Sequence, residues 1–331
     1  MCSQNSNIEN ETKFEEGEGI TAPSSSLIQK FTITEELDGH RLDFALTRLI
    51  GLSRGYAQKI IKDGKTSFAT KRRIKPSIKV SAGEELTVEI PPAENLELEP
   101  QDVPFETVYD DEDIIVINKP AGLVVHPAPG HWSGTLVHGL LFRYPDIGVL
   151  NGVKRPGIVH RLDATTSGLM VAARNGLAQE ALFRDFQARR VKKEYIALCY
   201  NCPTQRCGTV NYPIGRDPYN RLRMACTEDG REARTDYEVL WELGGKSLIK
   251  CTLHSGRTHQ IRVHMQTLRG PLVGDRLYAP SRQSPFPPER VFLHSWHLGF
   301  KHPRSGEEMQ FKQSLPEELR EYLKKVRGGE E

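Results

Sequence analysis

No apolar run in this chain approaches the roughly 18 residues needed to cross a bilayer, and no positive-then-apolar signal segment opens it. A cytoplasmic protein with no membrane contact is therefore expected. A Gly-rich dinucleotide fingerprint and a Gly-Lys-Ser/Thr phosphate loop are both missing, so nicotinamide redox and nucleotide-driven chemistry have no support. No internal repeat is visible. Cysteine is scarce, with residues at 2, 199, 202, 207, 226 and 251. Cys199, Cys202 and Cys207 could be read as zinc thiolates, but a structural site is tetrahedral and the nearest further thiol, Cys226, is distant. Reduced, mostly buried thiols suit a cytosolic chain better. His254, His259 and His264 lack the i,i+4 spacing of a helical metal pair, and no acidic residue lies among them. Neither metal nor cofactor is expected. Excess charge is lacking too: the net is +2, so only its distribution can point to a partner.

At 331 residues the chain is long for one core, and composition divides it. Residues 1–30 carry five glutamates against Lys13 and Lys30 and read as a disordered acidic tail. Residues 31–91 form a small basic module. Within 38–91, eleven Lys/Arg oppose six Asp/Glu, a local charge of +5. Leu42, Phe44, Ala45, Leu46 and Leu49 predict one helix. Ser53 can cap a second through Ala57, Ile60 and Ile61, ended by Gly64. Ile74, Ile78, Val80, Leu86, Val88 and Ile90 read as short strands. Arg54, Lys59 and Lys62 on or beside the second helix, with Lys71, Arg72, Arg73 and Lys75 beyond it, would attract phosphates without reading bases. A solvated basic face is the bland alternative. A Glu- and Pro-rich linker covers 92–107.

The large domain, 108–331, has a strong strand at Ile114-Ile115-Val116-Ile117 and another at Leu169-Met170-Val171-Ala172-Ala173. Asn175 is expected to cap a helix burying Leu177, Ala181, Leu182 and Phe186. Strands follow near Lys193–Tyr200, Thr235–Leu240 and Ser247–Leu253, then a helix or ordered turn from Ile261 to Met265 and a closing helix over Pro316–Val326. Many strands with few helices predict a mixed α/β domain rather than repeated βαβ units.

Chemistry concentrates in Gly157-Ile158-Val159-His160-Arg161-Leu162-Asp163, just before the flexible Ala164-Thr165-Thr166-Ser167-Gly168. Asp163, close to a guanidinium, can stay ionised and be aimed at a reacting carbon, or it can merely cap the turn. Arg161 could hold a phosphate or sit in a surface ion pair. His160 reads as support for the loop. Tyr195 could lie over a flat ring or be an ordinary strand aromatic. Arg257, His259, Arg262 and His264 form a polar cluster in which Thr258 and Arg262 would share a helical face, unless the segment is only a solvated basic turn.

Together these motifs resemble a pseudouridine synthase of the RluA/RluD type, acting on large-subunit ribosomal RNA. The matching segments are Asn118-Lys119-Pro120-Ala121-Gly122, His160-Arg161-Leu162-Asp163 with Thr166-Ser167-Gly168, Lys193-Glu194-Tyr195 and Gly256-Arg257-Thr258-His259-Gln260-Ile261-Arg262. The front module resembles an S4 RNA-binding domain through Arg41-Leu42-Asp43, Gly51-Leu52-Ser53-Arg54 and Val80-Ser81-Ala82-Gly83-Glu84. It departs from that pattern at Phe68-Ala69-Thr70, where a Val-Asn-Gly turn is usual. The resemblance implies an α+β (mixed α/β) fold whose central antiparallel or mixed sheet is split by a catalytic cleft, beside a small αα-β S4 unit.

It also implies roles. Asp163 would be the catalytic nucleophile or base at the sugar, Tyr195 would lie on the target base and serve proton removal from C5, and Arg262 would pair with Asp163. Arg161 would fill the place vacated by a flipped uridine. His160, Ile261, Arg257 and His259 would complete the substrate pocket. Arg41, Arg54, Lys59, Lys62, Lys71, Arg72 and Arg73 would bind RNA. The implied partner is large-subunit ribosomal RNA, free or within pre-ribosomal particles, and the implied enzyme is a monomer. Two rivals stand beside this reading. One is a non-catalytic RNA-binding or ribosome-assembly protein. The other is a glycosidic-bond hydrolase, which would need a second carboxylate that these motifs do not supply.

Overall fold

Alternating apolar residues with β-branched side chains build most of the strands, and the loops between them are set by Gly, Pro and Asx turns. A computed structural model describes residues 27–50, 54–70, 72–90, 98–128, 130–149, 156–287 and 289–328. The chain divides into two units, Met1–Leu96 and Glu97–Glu331.

The first unit holds β1 (Leu27–Thr32), α1 (Leu42–Ile50), α2 (Arg54–Lys62), β2 (Thr66–Phe68) and β3 (Glu85–Ile90). The strands form an antiparallel sheet in the order β1-β3-β2. Leu42, Leu46, Ala57 and Ile60 from the helices meet Leu86 and Val88 in one core. Gly64, at φ +72°, ends α2. β1 begins within the stretch read as acidic tail, because Gln29 and Phe31 alternate as strand residues opposite Val88 and Leu86. The remainder of that tail, Ser53, Lys71 and the first part of the linker lie outside the described residues.

Ile74, Ile78 and Val80 do not form a strand. They line a loop over the core, and the carbonyls of Ile78 and Pro76 accept the Leu42 and Asp43 N–H groups at 2.7 and 3.0 Å, capping α1. Pro76 lacks the donor that a paired strand needs.

The second unit carries β4 (Glu106–Asp110), β5 (Ile114–Lys119), α3 (Leu136–Arg143), β6 (Ser167–Ala173), α4 (Gly176–Gln187), β7 (Lys192–Tyr200), β8 (Cys207–Asn211), β9 (Ile214–Arg216) and β10 (Met224–Cys226). It continues with β11 (Arg234–Leu243), β12 (Lys246–Leu253), α5 (Gln260–Thr267), β13 (Leu293–Lys301), β14 (Glu308–Lys312) and α6 (Glu317–Gly328). The main sheet runs β4-β5-β6-β13-β7-β12-β11-β8, with β14 also on β13, and every pairing is antiparallel except β6 with β13. β9 and β10 form a separate pair. The expected mixed sheet is present.

Both faces of β5 and β6 are covered, which is why these two strands read as nearly unbroken apolar runs. Ile115 and Ile117 of β5 face a core shared with Leu136 and Leu140 of α3 and with Ile261 and Met265 of α5. Ile114 and Val116 face Ala178 and Leu182 of α4. Leu198 of β7 meets Leu319 of α6. Val103 and Phe105, assigned to the linker by composition, are instead buried, and Arg143 donates to the Phe105 carbonyl at 2.7 Å. Asn175 caps α4 as expected, accepting from the Ala178 N–H at 2.9 Å. Leu177, however, is 82% exposed. It lies about 100° around the helix from Ala178, and Ala178 with Leu182 defines the buried stripe.

Candidate active site

The segment Gly157–His160 turns back along β6. Ile158 bridges Ala172, the Gly157 carbonyl accepts from the Ala173 N–H at 2.8 Å, and His160 Nε2 accepts from the Val171 N–H at 3.0 Å. It fills the side of β6 that β13 leaves free, since β13 pairs with β6 only at Ser167 and Gly168. The chain then reverses into β6, and Asp163 rides on that reversal. Gly168 enters the strand at φ +111°, so close to β13 that a Cβ there would lie 2.3 Å from the Ser295 carbonyl oxygen. Below the reversal the Lys119 side chain, wholly buried, donates to the carbonyls of Pro120, Leu123 and Ala164 at 2.8, 2.8 and 3.2 Å. Burial brings its ammonium down to about 7, with the Asp163 charge opposing that shift.

Asp163 keeps 17% of its side chain exposed, and its Oδ2 lies 3.3 Å from Arg262 Nη1 and 3.9 Å from His259 Nε2. Arg262, on the first turn of α5, is aimed by a second carboxylate. Asp275, with no exposure, accepts from Arg262 Nε and Nη2 at 2.7 and 3.0 Å. Burial works against the Arg262 charge, but the bonds and charge of Asp275, reinforced by Asp163, outweigh it and raise the guanidinium pKa. Asp275 also accepts the N–H groups of Leu277 and Tyr278, and the Tyr278 hydroxyl meets His259 Nδ1 at 2.9 Å. Burial lowers the His259 pKa, leaving a neutral ring beside Asp163.

His259 adopts φ 57°, and α5 starts only after it. Thr258 therefore lies outside the helix, and the shared face predicted for Thr258 and Arg262 does not form. The preceding loop is held by Gln260. Its Oε1 accepts from Ser255 Oγ and the Arg257 N–H at 2.8 and 2.9 Å, and its Nε2 donates to the Arg234 carbonyl and Thr235 Oγ1 at 3.0 and 2.9 Å.

These groups open into a cleft of about 480 Å³, lined by Arg161, Asp163, Lys193, Tyr195, Ile261 and Arg262 among others. Tyr195 comes from β7 on the face that also meets α5, and it is buried. Burial, with the Asp163 charge behind it, drives the phenol well above its ordinary range, and a bond with Ser295 offsets this only in part. The fold thus favours the neutral phenol of Tyr195, a flat ring on the cleft. Arg161 is exposed on the cleft wall with no ion-pair partner among the described residues. Arg257 also lines the cleft, its Nε donating to the Glu232 carbonyl at 2.9 Å. His160 supports the loop, its ring stacked on Phe186 at 4.4 Å. Burial pushes this imidazole down to about 3.

The cleft thus gathers Asp163, Tyr195, Arg262, Arg161, His160, Ile261, Arg257 and His259 from distant parts of the chain. Asp275, Tyr278 and Lys119 were missed as site residues. Lys119 reads as part of a turn in Asn118–Gly122, and only the Gly274-Asp275 turn signal marks the Asp275 segment. Among the described residues, Asp111, Asp113 and His302 could offer ligand atoms to a metal. They do not line the cleft, and Arg304 already holds Asp113 through two bonds of 2.7 Å.

In the first unit, Arg41 and Arg72 are tied to carboxylates of their own. Arg41 makes two bonds of 3.0 Å to Asp43, and Arg72 meets Glu84 at 2.8 and 3.1 Å while lying 3.8 Å from the Phe68 ring centroid. Lys59, Lys62 and Arg73 are exposed. The placement of the Arg54 side chain and of Lys71 lies outside the described residues.

Residues 113–267 match the family model described as RNA pseudouridylate synthase. The chain is 40% identical over 297 residues to an uncharacterized RNA pseudouridine synthase of Bacillus subtilis, covering 89% of this chain and 97% of the relative. It is 40% identical over 305 residues to the ribosomal large subunit pseudouridine synthase D of Zymomonas mobilis, covering 88% and 95% respectively. Among solved structures, the human RNA pseudouridylate synthase domain containing 1 superposes with a TM-score of 0.51 at 26% identity, over 69% of this chain and 96% of that one.

Proposed function

The chain belongs to the RluA/RluD-type RNA pseudouridine synthases, isomerases of uridine, and from that premise we propose that it modifies uridines of large-subunit ribosomal RNA with Asp163 as the catalytic carboxylate. The substrate class follows the Zymomonas mobilis relative and further relatives that are likewise named ribosomal large subunit pseudouridine synthase D. The observation that carries the catalytic assignment is Asp163 itself: a partly exposed carboxylate on the cleft, 3.3 Å from Arg262, in a cleft also lined by the buried ring of Tyr195.

The reaction breaks the N1–C1′ bond, turns the uracil and joins C5 to C1′, so the base must first leave its stack. That costs a few kcal/mol and least in an open loop. Arg161, exposed on the cleft wall, takes the vacated place. The base lies against Tyr195 and Ile261. Asp163 acts at the ribose, by attack on C1′ or by removing a sugar proton to give a glycal. Arg262, fixed by Asp275, holds the carboxylate ionised and oriented. Tyr195 packs on the turning ring as a neutral phenol, and loss of H5 passes to water beside it. The first unit is an S4-like RNA-binding module. Lys59, Lys62 and Arg73, with Arg54 and Lys71, are its phosphate contacts, whereas Arg41 and Arg72 hold the module together through Asp43 and Glu84.

Asp163→Asn should abolish isomerisation while RNA binding persists. Turnover retained in that variant would remove Asp163 from the chemistry. Pseudouridine mapping of ribosomal RNA from cells with and without the gene tests the substrate, and finding no difference in large-subunit RNA would sink that assignment. Release of free uracil in place of rearranged nucleotide would point to a hydrolase instead.

A further inference from the structure

Two adjacent lysines on β7 are treated differently by the fold. Lys192 lies 3.5 Å from the carboxylate of Glu194. Lys193, on the opposite face with Tyr195, lines the cleft and is only 7% exposed. Among the described residues, no carboxylate, carbonyl or hydroxyl accepts from its ammonium. Its ammonium lies over the Phe186 ring, whose centroid is 5.6 Å from Nζ. Packing of the alkyl stem on Phe186 explains the stem and leaves the ammonium unexplained. An ammonium largely shielded from water without a counter-charge is unfavourable. Burial, with the Arg189 charge adding to it, brings Lys193 down to about 8.

The surroundings are basic as well. Arg189 lines the same cleft, paired with the exposed Glu232 at 3.1 Å, a pairing weak enough to be exchanged for a stronger anion. His160 is neutral and donates nothing negative. Along the strand, Lys193 stands about 7 Å from Tyr195, the reach from a nucleobase across its ribose to its own phosphate.

We propose that Lys193 is the seat of an RNA backbone phosphate adjoining the flipped uridine, with Arg189 leaving Glu232 to share it. This rests on the reading of the cleft as a uridine site. It adds to that reading a contact that fixes the nucleotide's position without reading sequence. The phosphate would supply the counter-charge that the protein withholds from Lys193, so the bound state is the one in which this ammonium is satisfied.

The test uses the full chain and a fragment of large-subunit RNA that it modifies. The phosphate on either side of the target uridine is replaced, one at a time, by a neutral methylphosphonate. Lys193→Met keeps the stem and removes the charge. It should weaken binding by about tenfold or more and lower the slope of log affinity against log salt by about 0.7. One of the two methylphosphonates should reproduce both effects in the unaltered protein and add nothing in Lys193→Met, while Lys193→Arg restores the slope. If Lys193→Met does not fold, acylation footprinting of the unaltered protein replaces it. Lys193 should be reactive in the free protein, protected by RNA, and unprotected by the matching methylphosphonate RNA.

An unchanged salt slope in folded Lys193→Met, or a footprint indifferent to RNA, overturns the phosphate seat. Pseudouridine formation is followed in the same samples. Product formed with an unchanged slope refutes this inference alone, whereas no product from any RNA refutes the uridine reading beneath it.

Discussion

Replacing Asp275 by Asn removes the one charged contact that aims Arg262 from behind. The Asp275 side chain has no exposure and accepts two bonds from Arg262, at 2.7 and 3.0 Å, and two from the backbone N–H groups of Leu277 and Tyr278, at 3.1 and 3.0 Å. Asparagine keeps the shape but turns an amide N–H₂ toward a donor and deletes the charge. Arg262, 8% exposed, would be left with Asp163 alone at 3.3 Å. Breaking a buried pair from one side costs about 3–5 kcal/mol, a large share of the 5–15 kcal/mol that holds a typical domain together (order of magnitude). Trp132, Trp241 and Trp296, all the tryptophans of the chain, lie in Glu97–Glu331, so their fluorescence in urea reports that unit alone. At a slope of about 2–3 kcal/mol/M the unfolding midpoint should fall by roughly 1–2 M. Isomerisation should drop at saturating RNA, because Arg262 loses its fixed orientation. Removing both partners, as Arg262→Met with Asp275→Leu, should cost less stability than the sum of the single changes. A midpoint within about 0.3 M of the parent, together with full turnover, would refute the role given to Asp275 (scale from the same slope).

Gly168→Ala should be among the most damaging single-methyl additions in the chain. A β-carbon would meet backbone of β13 at 2.3 Å, at a φ of +111° that side chains rarely adopt, so a loss of at least about 3 kcal/mol is expected. A thermal midpoint equal to the parent's would contradict this. Acid should weaken the same unit through its buried histidines. Burial holds His160 down to about 3 and His294 to about 4, both below an unfolded value near 6.5. Their stabilising contribution is therefore complete above about pH 6.5 and lost as pH falls toward their folded values, at about 1.4 kcal/mol per unit of depression. Urea midpoints measured from pH 7.5 to 4.5 should decline through this window, and substituting both residues by Gln should flatten the decline. A flat profile in the parent would show that neither ring is held neutral by the fold.

Much of the site is readable from sequence because its parts are short contiguous runs. His160–Asp163, Lys193–Tyr195 and Arg257–Arg262 each keep their chemistry within a few residues, and the pairing of Arg262 with Asp163 was expected. What escaped notice depends on contacts between segments. Asp275 meets Arg262 thirteen residues away across an irregular connection, and no helical or strand period links such positions. Lys119 sits at the end of an apolar strand, where lysine normally signals the surface. Its role is set by three carbonyls gathered from Pro120, Leu123 and Ala164. Local patterns misled as well. Leu177 was counted into the buried stripe of α4, yet one residue of helical phase separates it from Ala178. Ile74, Ile78 and Val80 alternate like a strand, but the carbonyls of Ile78 and the intervening Pro76 are spent on capping α1.

The parallel junction between β6 and β13 has a kinetic consequence. Asp163 and Arg262 lie 99 residues apart, and Ser167 reaches His294 across 127. Contacts of such sequence separation form late, after long loops have closed. Turnover should consequently return in refolding no earlier than β13 docks, and a nascent chain halted before Leu293 would hold Asp163 without the strand that completes the cleft. Catalytic competence should therefore arrive with the closed sheet instead of growing with the chain.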